Sequence, residues 1–294
     1  IHIIYVDGGS TDNSIQIAGA FENVEILAEQ GGRPAAGRNA GLRKARGSVC
    51  AFTDADCRVS RQWLERACLR LKDPSVGGVG GPLLPTRLDS IQSRLVYYAY
   101  SSPLGSAGSI QAAVYENTRD VRSISLGNAA FRCDLLQRLG GFDESLRFCE
   151  DYDLSARMRA AGQRAVYDPT AVVFHEYDKT IRSFMRRMFT YGRGRSDAMR
   201  KKRTTLFLPS LLGLLGFCSL AALFLLASIG RVPWWVPAGT VLLYLICVMI
   251  QSLAISLRRR DSMLLLVAVV LVVGHVSYSL GMLAGVLLPY HSRR

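Results

Sequence analysis

Acidic residues all but vanish after Ile181. Residues 182–294 hold two, Asp197 and Asp261, against 15 Lys and Arg. Residues 1–181 carry 21 residues of each sign, so the net charge of +13 sits entirely in the C-terminal part. That imbalance argues against a nucleic-acid binder, which would spread basic side chains over its folded domain. Beside long apolar runs, a basic segment suits anionic lipid headgroups instead. Charge is missing altogether from three stretches, about 206–229, 233–255 and 263–288, which hold only His275 among titratable nitrogen bases. Roughly 20 apolar residues cross a bilayer as a helix, and a core helix of that length keeps a polar face, so each stretch reads as transmembrane. The seven cysteines (Cys50, Cys57, Cys68, Cys133, Cys149, Cys218, Cys247) form no CxxC pair and no metal-type spacing with His. They read as reduced, structural thiols of a cytosolic compartment. No cleavable signal peptide is legible at the start. The chain opens without Met inside a β-like run, "IHIIYV", so further sequence is expected upstream.

Topology follows from where the basic residues stand. "RSFMRRMFTYGRGRSDAMRKKR" (182–203) precedes the first span and Arg258–Arg260 follow the second, while only Arg231 separates spans one and two. Basic flanks stay cytoplasmic. The N-terminal part is therefore expected in the cytoplasm and the tail outside, although Arg293 and Arg294 weigh against the last point. Trp234 and Trp235 open the second run, at the depth where an aromatic belt sits.

Through the first 181 residues strand and helix signals alternate. "IHIIYV" (1–6), "VEIL" (24–27), "SVCAFT" (48–53) and the weaker "VGGVGG" (76–81) read as strands. Helical patterns begin near residue 13, include Arg38 and Leu42, and cover Arg61–Leu71. Alternation of this kind predicts an α/β domain with a mostly parallel sheet, whose ligands bind beyond the carboxyl ends of the strands. Asp7 ends the first strand, and Asp54 and Asp56 follow the third. Three acids from separate segments are thus expected at one edge.

Asp54 and Asp56 lie in "VCAFTDADCRV" (49–59), one residue apart at the mouth of a buried strand. Like charges this close raise each other's pKa unless a cation lies between them, so the pair is either a solvated turn or a metal site. The segment lacks the further Asp/Asn and Gly of an EF-hand. "GRPAAGRN" (32–39) has Arg-Asn where a phosphate loop needs Lys-Ser/Thr. Residues 84–124 are irregular, with Tyr97, Tyr98 and Tyr100 on a predicted helix and a Ser/Gly-rich stretch at 101–109. Further on, Gly140–Asp143 ends one helix and Glu150-Asp151 starts another. Acids at a helix start favour the dipole, but three in four residues exceed what a cap requires.

Four blocks, "VDGGSTDNS", "AAGRNAGLRKARGSVCAFTDADC", "GNAAFRCDLLQRLGGFDES" and "EDYDLSARMRAAG", stand in the order and spacing of the family-2 glycosyltransferases. The resemblance covers about residues 1–195, and the apolar tail resembles that of bacterial exopolysaccharide and lipid-linked oligosaccharide enzymes of the succinoglycan type. It implies a GT-A fold over 1–181, lacking its first strand and helix, then a basic juxtamembrane segment (182–205) and three transmembrane helices. It also implies a nucleotide-sugar site at Asp7, Arg38 and Asp54, with Mg²⁺ or Mn²⁺ held by Asp56 and Asp54. Asp151 would be the general base with Glu150 beside it. His175 lies where some relatives place another metal or phosphate ligand, although a lone His is also a common structural residue. Arg193 or Arg195 would meet the diphosphate or lipid headgroups. The Gln-x-x-Arg-Trp motif of processive synthases is absent; its region reads "RRMFTYGRGR" (186–195), which implies transfer of a single sugar. The function implied is inverting transfer of a hexose, with UDP the expected carrier, to a polyprenyl-diphosphate-linked saccharide at a bacterial inner membrane. A polyprenyl-phosphate acceptor and an inactive membrane scaffold are the alternatives.

Overall fold

The computed structural model describes residues 1–29, 33–106, 114–177, 180–202 and 208–288. Gly31 and Gly32 of the Gly/Pro loop, residues 107–109 of the Ser/Gly-rich stretch, and Arg293 and Arg294 fall outside the described residues. In chain order the elements are β1 (Ile3–Asp7), α1 (Ser14–Gly19), β2 (Val24–Ala28), α2 (Pro34–Lys44), β3 (Val49–Phe52), β4 (Cys57–Val59), α3 (Trp63–Arg70), β5 (Val76–Gly80) and β6 (Leu83–Pro85). There follow α4 (Ile91–Ser101), α5 (Pro103–Ser106), β7 (Arg119–Asp120), β8 (Ala129–Arg132), α6 (Cys133–Arg138), α7 (Glu150–Ala160), β9 (Arg164–Tyr167) and β10 (Val173–His175). Four long helices close the chain: α8 (Ile181–Lys201), α9 (Leu208–Ser228), α10 (Trp235–Arg259) and α11 (Val267–Leu287).

The chain divides into two compact units. The first joins Ile1–Leu84 to Val114–His175. Its strands form three sheets, ordered β1-β2, β4-β10-β6 and β3-β8-β5-β9-β7. The pairs β1–β2 and β5–β9 are parallel, whereas β3–β8, β5–β8, β7–β9 and β4–β10 are antiparallel. The expected mostly parallel sheet is thus a mixed one. The difference arises because β8 enters between β3 and β5 after a long excursion of chain, a placement that short-range periodicity does not encode. Five buried positions in β5 mark it as the middle strand. It is glycine-rich because its neighbours leave no room: a Cβ on Gly78 would lie 2.6 Å from the Phe131 ring, and one on Gly80 2.6 Å from an Ile124 methyl. One sheet face packs Phe131, Leu136, Phe142, Leu154 and Met158; the other packs Ala67, Leu71, Val79 and Val166.

The second unit takes the described residues from Pro85 to residue 106 and those from Glu176 on. In this division α4 belongs to the second unit, and the change of unit after His175 falls a few residues before the expected 181. Leu95, Val96, Tyr97 and Tyr100 are buried with Phe184, Met188, Val267 and Leu271, so the tyrosines of the irregular stretch form core with the C-terminal helices. Tyr100 meets Phe184 edge-on at 5.2 Å between ring centres. Among the described residues, three helices are long and apolar enough to cross a membrane: Ser210–Ser228, Trp235–Arg259 and Ser262–Leu287. Most of the basic segment lies in the 21-residue helix α8 (Ile181–Lys201). It lies along α11 through glycine contacts; a Cβ on Gly192 would stand 2.1 Å from the Tyr278 carbonyl, and one on Gly281 2.1 Å from that of Phe189. Arg193 and Arg200 donate to the carbonyls of Leu288 (3.2 Å) and Gly285 (2.5 Å), which meets orphan acceptors at the carboxyl end of α11.

Candidate active site

Asp7 is the last residue of β1 and is buried. Its Oδ2 accepts the N–H groups of Gly9 (2.9 Å) and Ser10 (3.0 Å). The Ser10 hydroxyl and these two N–H groups hold its carboxyl below the usual carboxylate range. Its Oδ1 is buried with no hydrogen-bond partner among the described residues, an acceptor that a ligand donor would satisfy. Next to it, Val6 packs beneath α2, where Gly37 and Gly41 keep the helix close.

Helix α2 begins with Pro34, whose fixed φ suits the first helical position. One turn later Arg38 bridges two carboxylates that are far away in sequence. Its Nη1 donates to Glu150 Oε1 at 2.6 Å and its Nη2 to Asp54 Oδ1 at 3.2 Å. Glu150 is the first residue of α7, whose first turn also holds Asp151 and Asp153. Burial and the neighbouring Asp151 push the Glu150 carboxyl upward, and Arg38 opposes the shift. Asp151 accepts the Tyr152 N–H through Oδ1 at 2.8 Å.

Two residues that sequence reading did not single out hold this arrangement together. Asn39 Oδ1 accepts the Phe142 N–H and its Nδ2 donates to the Phe142 carbonyl, both at 2.8 Å; Nδ2 also donates to Glu144 Oε1. Arg157 donates to the carbonyls of Leu139 (2.6 Å) and Gly141 (2.8 Å). Together they tie α2 and α7 to the left-handed turn at Gly140–Gly141, and so fix Arg38 relative to Glu150. The available signals were the Asn directly after Arg38 and the Gly-Gly turn. Asn39→Ala strands the Phe142 N–H, and a part-buried donor without its acceptor costs about 1–3 kcal/mol. The expected result is a lower denaturation midpoint with unchanged helix content, read by chemical unfolding with circular dichroism.

Asp54 and Asp56 separate from each other. Both occupy the turn between β3 and β4 and are exposed. Asp54 faces Arg38, with Gly127 behind it; a Cβ there would be 3.2 Å from Asp54 Oδ2. Asp56 faces His175, with Oδ2 to Nε2 at 3.5 Å. The approach of His175 comes from antiparallel pairing of β10 with β4, which sets it directly opposite Cys57. Buried Asn128 anchors the lead into β10 by donating to the carbonyls of Ala171 (2.8 Å) and Pro82 (3.0 Å) and accepting from Trp63 Nε1 (2.7 Å). Oxygen and imidazole donors of this kind suit a divalent cation, so Asp56 and His175 fit such a group. Arg193 belongs to the second unit. A shallow concavity of about 390 Å³ between Ser48, Cys133 and Asp134 opens before β3, at the end opposite Asp54, and none of Asp7, Asp54, Asp56, Glu150 and Asp151 lines it.

Comparison with known proteins adds a lineage to this geometry. Residues 1–140 match the family described as Glycosyl transferase family 2. The chain is 31% identical over 195 residues to the pre-mycofactocin glycosyltransferase of Mycobacterium tuberculosis, covering 65% of this chain and 41% of that protein. It is 25% identical over 297 residues to the succinoglycan biosynthesis protein ExoA of Rhizobium meliloti, covering 95% of this chain and 84% of ExoA. The chain thus spans less than half the length of the first of these relatives and most of the second. Among solved structures, a mannosyltransferase from Pyrobaculum calidifontis superposes with a TM-score of 0.54 at 21% identity, covering 94% of this chain and 77% of that one. That likeness identifies the fold as GT-A.

Proposed function

We propose, from the match of residues 1–140 to glycosyl transferase family 2, that the protein transfers one hexose, with inversion, from a nucleotide-sugar to a lipid-linked saccharide at the cytoplasmic face of a bacterial inner membrane. The observation that carries this reading is the Arg38 bridge. One cation gathers Asp54 and Glu150, 112 residues from it in the second case, beside the strand ends where α/β sheets bind ligands. The names of relatives support the pathway class: succinoglycan biosynthesis for one, O-antigen chain rhamnosyl transfer for another.

In this reading Asp7 and Asp54 accept hydrogen bonds from the base or ribose of the donor. Arg38 holds Asp54 in place and lends positive charge near the diphosphate. Asp56, with His175 at 3.5 Å, would hold a divalent ion, with Mg²⁺ and Mn²⁺ the ions the family resemblance implies. When bound, the ion stabilises charge on the departing nucleoside diphosphate as a Lewis acid. Glu150, engaged by Arg38, positions the start of α7, and the adjacent Asp151 takes the proton of the acceptor hydroxyl as the sugar bond forms. One base opposite one leaving group gives a single displacement and an inverted anomeric carbon. Basic residues at both ends of the helical tail keep the catalytic domain on the cytoplasmic side and near anionic lipid.

The test is a donor screen on the full-length protein in membrane vesicles, with labelled UDP- and GDP-hexoses and polyprenyl-linked acceptors. GDP-sugars are included because the Pyrobaculum mannosyltransferase was solved with GDP-Man and Mn²⁺. One donor is expected to label the lipid-linked fraction, with the new linkage opposite in configuration to the donor. Retained configuration would overturn the single-displacement step, and the absence of transfer from every donor would overturn the activity itself.

A further inference from the structure

Cys57 stands against the proposed ion site without a role in the mechanism above. We propose that its thiolate is a third protein ligand of the divalent ion, giving the site a carboxylate, an imidazole and a sulfur donor and a preference for Co²⁺ or Zn²⁺ over Mg²⁺. This rests on the metal-dependent reading of Asp56 and His175.

The geometry is specific. Antiparallel pairing sets Cys57 directly across from His175, and paired residues project to the same face of a sheet. Asp56 precedes Cys57 in the chain. Its Oδ2 lies 3.5 Å from His175 Nε2 and its Oδ1 3.8 Å from Cys57 Sγ. All three ligand atoms fall within 4.8 Å of one another. Ligands at about 2.0–2.3 Å from a tetrahedral ion are themselves roughly 3.3–3.6 Å apart, so small side-chain adjustments close the set. The observed 3.5 Å is long for a direct hydrogen bond and normal for two ligands of one ion. Asp56 is exposed, with 53% of its side-chain surface open to solvent, so a bound ion there would be reachable from outside. His175 is buried, which fixes the imidazole in place.

The donor set decides the metal. Carboxylate and water suit Mg²⁺, whereas a thiolate draws borderline metals, and affinities rise from Mn²⁺ through Co²⁺ along the divalent series. On binding, the Cys57 S–H bond breaks, a sulfur–metal bond forms and the proton passes to water. Replacing the sulfur by a hard oxygen should therefore move selectivity back toward Mg²⁺.

Co²⁺ binding to the full chain in detergent or nanodiscs tests this without turnover. The wild type is expected to develop the near-ultraviolet thiolate-to-Co²⁺ charge-transfer band. Cys57→Ser should lose that band and bind Co²⁺ at least about tenfold more weakly, and Cys57→Asp should bind without the band and gain relative affinity for Mg²⁺. Thermal melting of each variant separates ligand loss from misfolding. Co²⁺ bound by the wild type with no such band, or a band that survives in Cys57→Ser, would overturn the sulfur ligand and leave the metal site standing. Absence of Co²⁺ binding, with Asp56→Ala indistinguishable from wild type, would overturn the metal reading itself.

Discussion

Asp56→Ala should lower kcat/KM for sugar transfer by about 10³-fold, and EDTA should do the same to the wild type. The departing nucleoside diphosphate gains negative charge as the sugar bond breaks, and a divalent ion contributes several kcal/mol to stabilising it; at about 1.4 kcal/mol per tenfold, that is three orders of magnitude. The carboxylate sits exposed in the turn after β3, with the His175 imidazole 3.5 Å away. Truncating a surface side chain of this kind costs within about 0.5 kcal/mol of stability, so the variant should insert and melt like wild type. Initial rates with and without Mn²⁺, alongside a melting curve, make the comparison. Transfer that survives both the substitution and chelation would remove the ion from the reaction.

The second large effect is expected at the start of α7. Asp151→Asn keeps the size of the side chain and an oxygen for the Tyr152 N–H, but cannot take a proton. Transfer to a hydroxyl acceptor should fall by about 10²–10⁴-fold in kcat with KM little changed. A polyprenyl phosphate acceptor is already anionic and needs no base, so near-normal turnover in this variant would favour that acceptor. A titration readout accompanies the rate. In the wild type, burial and then Asp151 raise the Glu150 carboxyl. A raised carboxyl pKa gives stability that is fully present below the unfolded value, about 4.3, and is lost as pH rises through the folded value. Removing the Asp151 charge lessens the shift. Thermal stability of Asp151→Asn should therefore decline less than that of the wild type as pH rises from about 4. Equal slopes would show that the two carboxyls do not interact.

Much of this was legible because its signals are short in range. The alternation in 1–81 marked β1, β2, β3 and β5 and the helices between them, and it placed Asp7 at the end of its strand and Asp54 and Asp56 just past theirs. The four blocks that resemble family-2 glycosyltransferases drew attention to Arg38 and to Glu150-Asp151, which the structure places on α2 and at the start of α7. Illegible were the contacts across large separations. Nothing local in "VVFHEY" says that His175 will face Cys57, and nothing in the 84–124 stretch says that α4 will leave the first unit to pack against α8 and α11.

By itself the sequence determined an α/β domain followed by three membrane-length apolar helices, because both follow from the periodicity and length of hydrophobic runs. It also placed the acids at strand ends. Only the tertiary structure decided their partners: Asp54 with Arg38 and Glu150, Asp56 with His175 and Cys57. Those pairings depend on which strand enters beside which and on how tightly glycines let helices approach. They are properties of packed faces, and the order of residues along any one segment does not contain them.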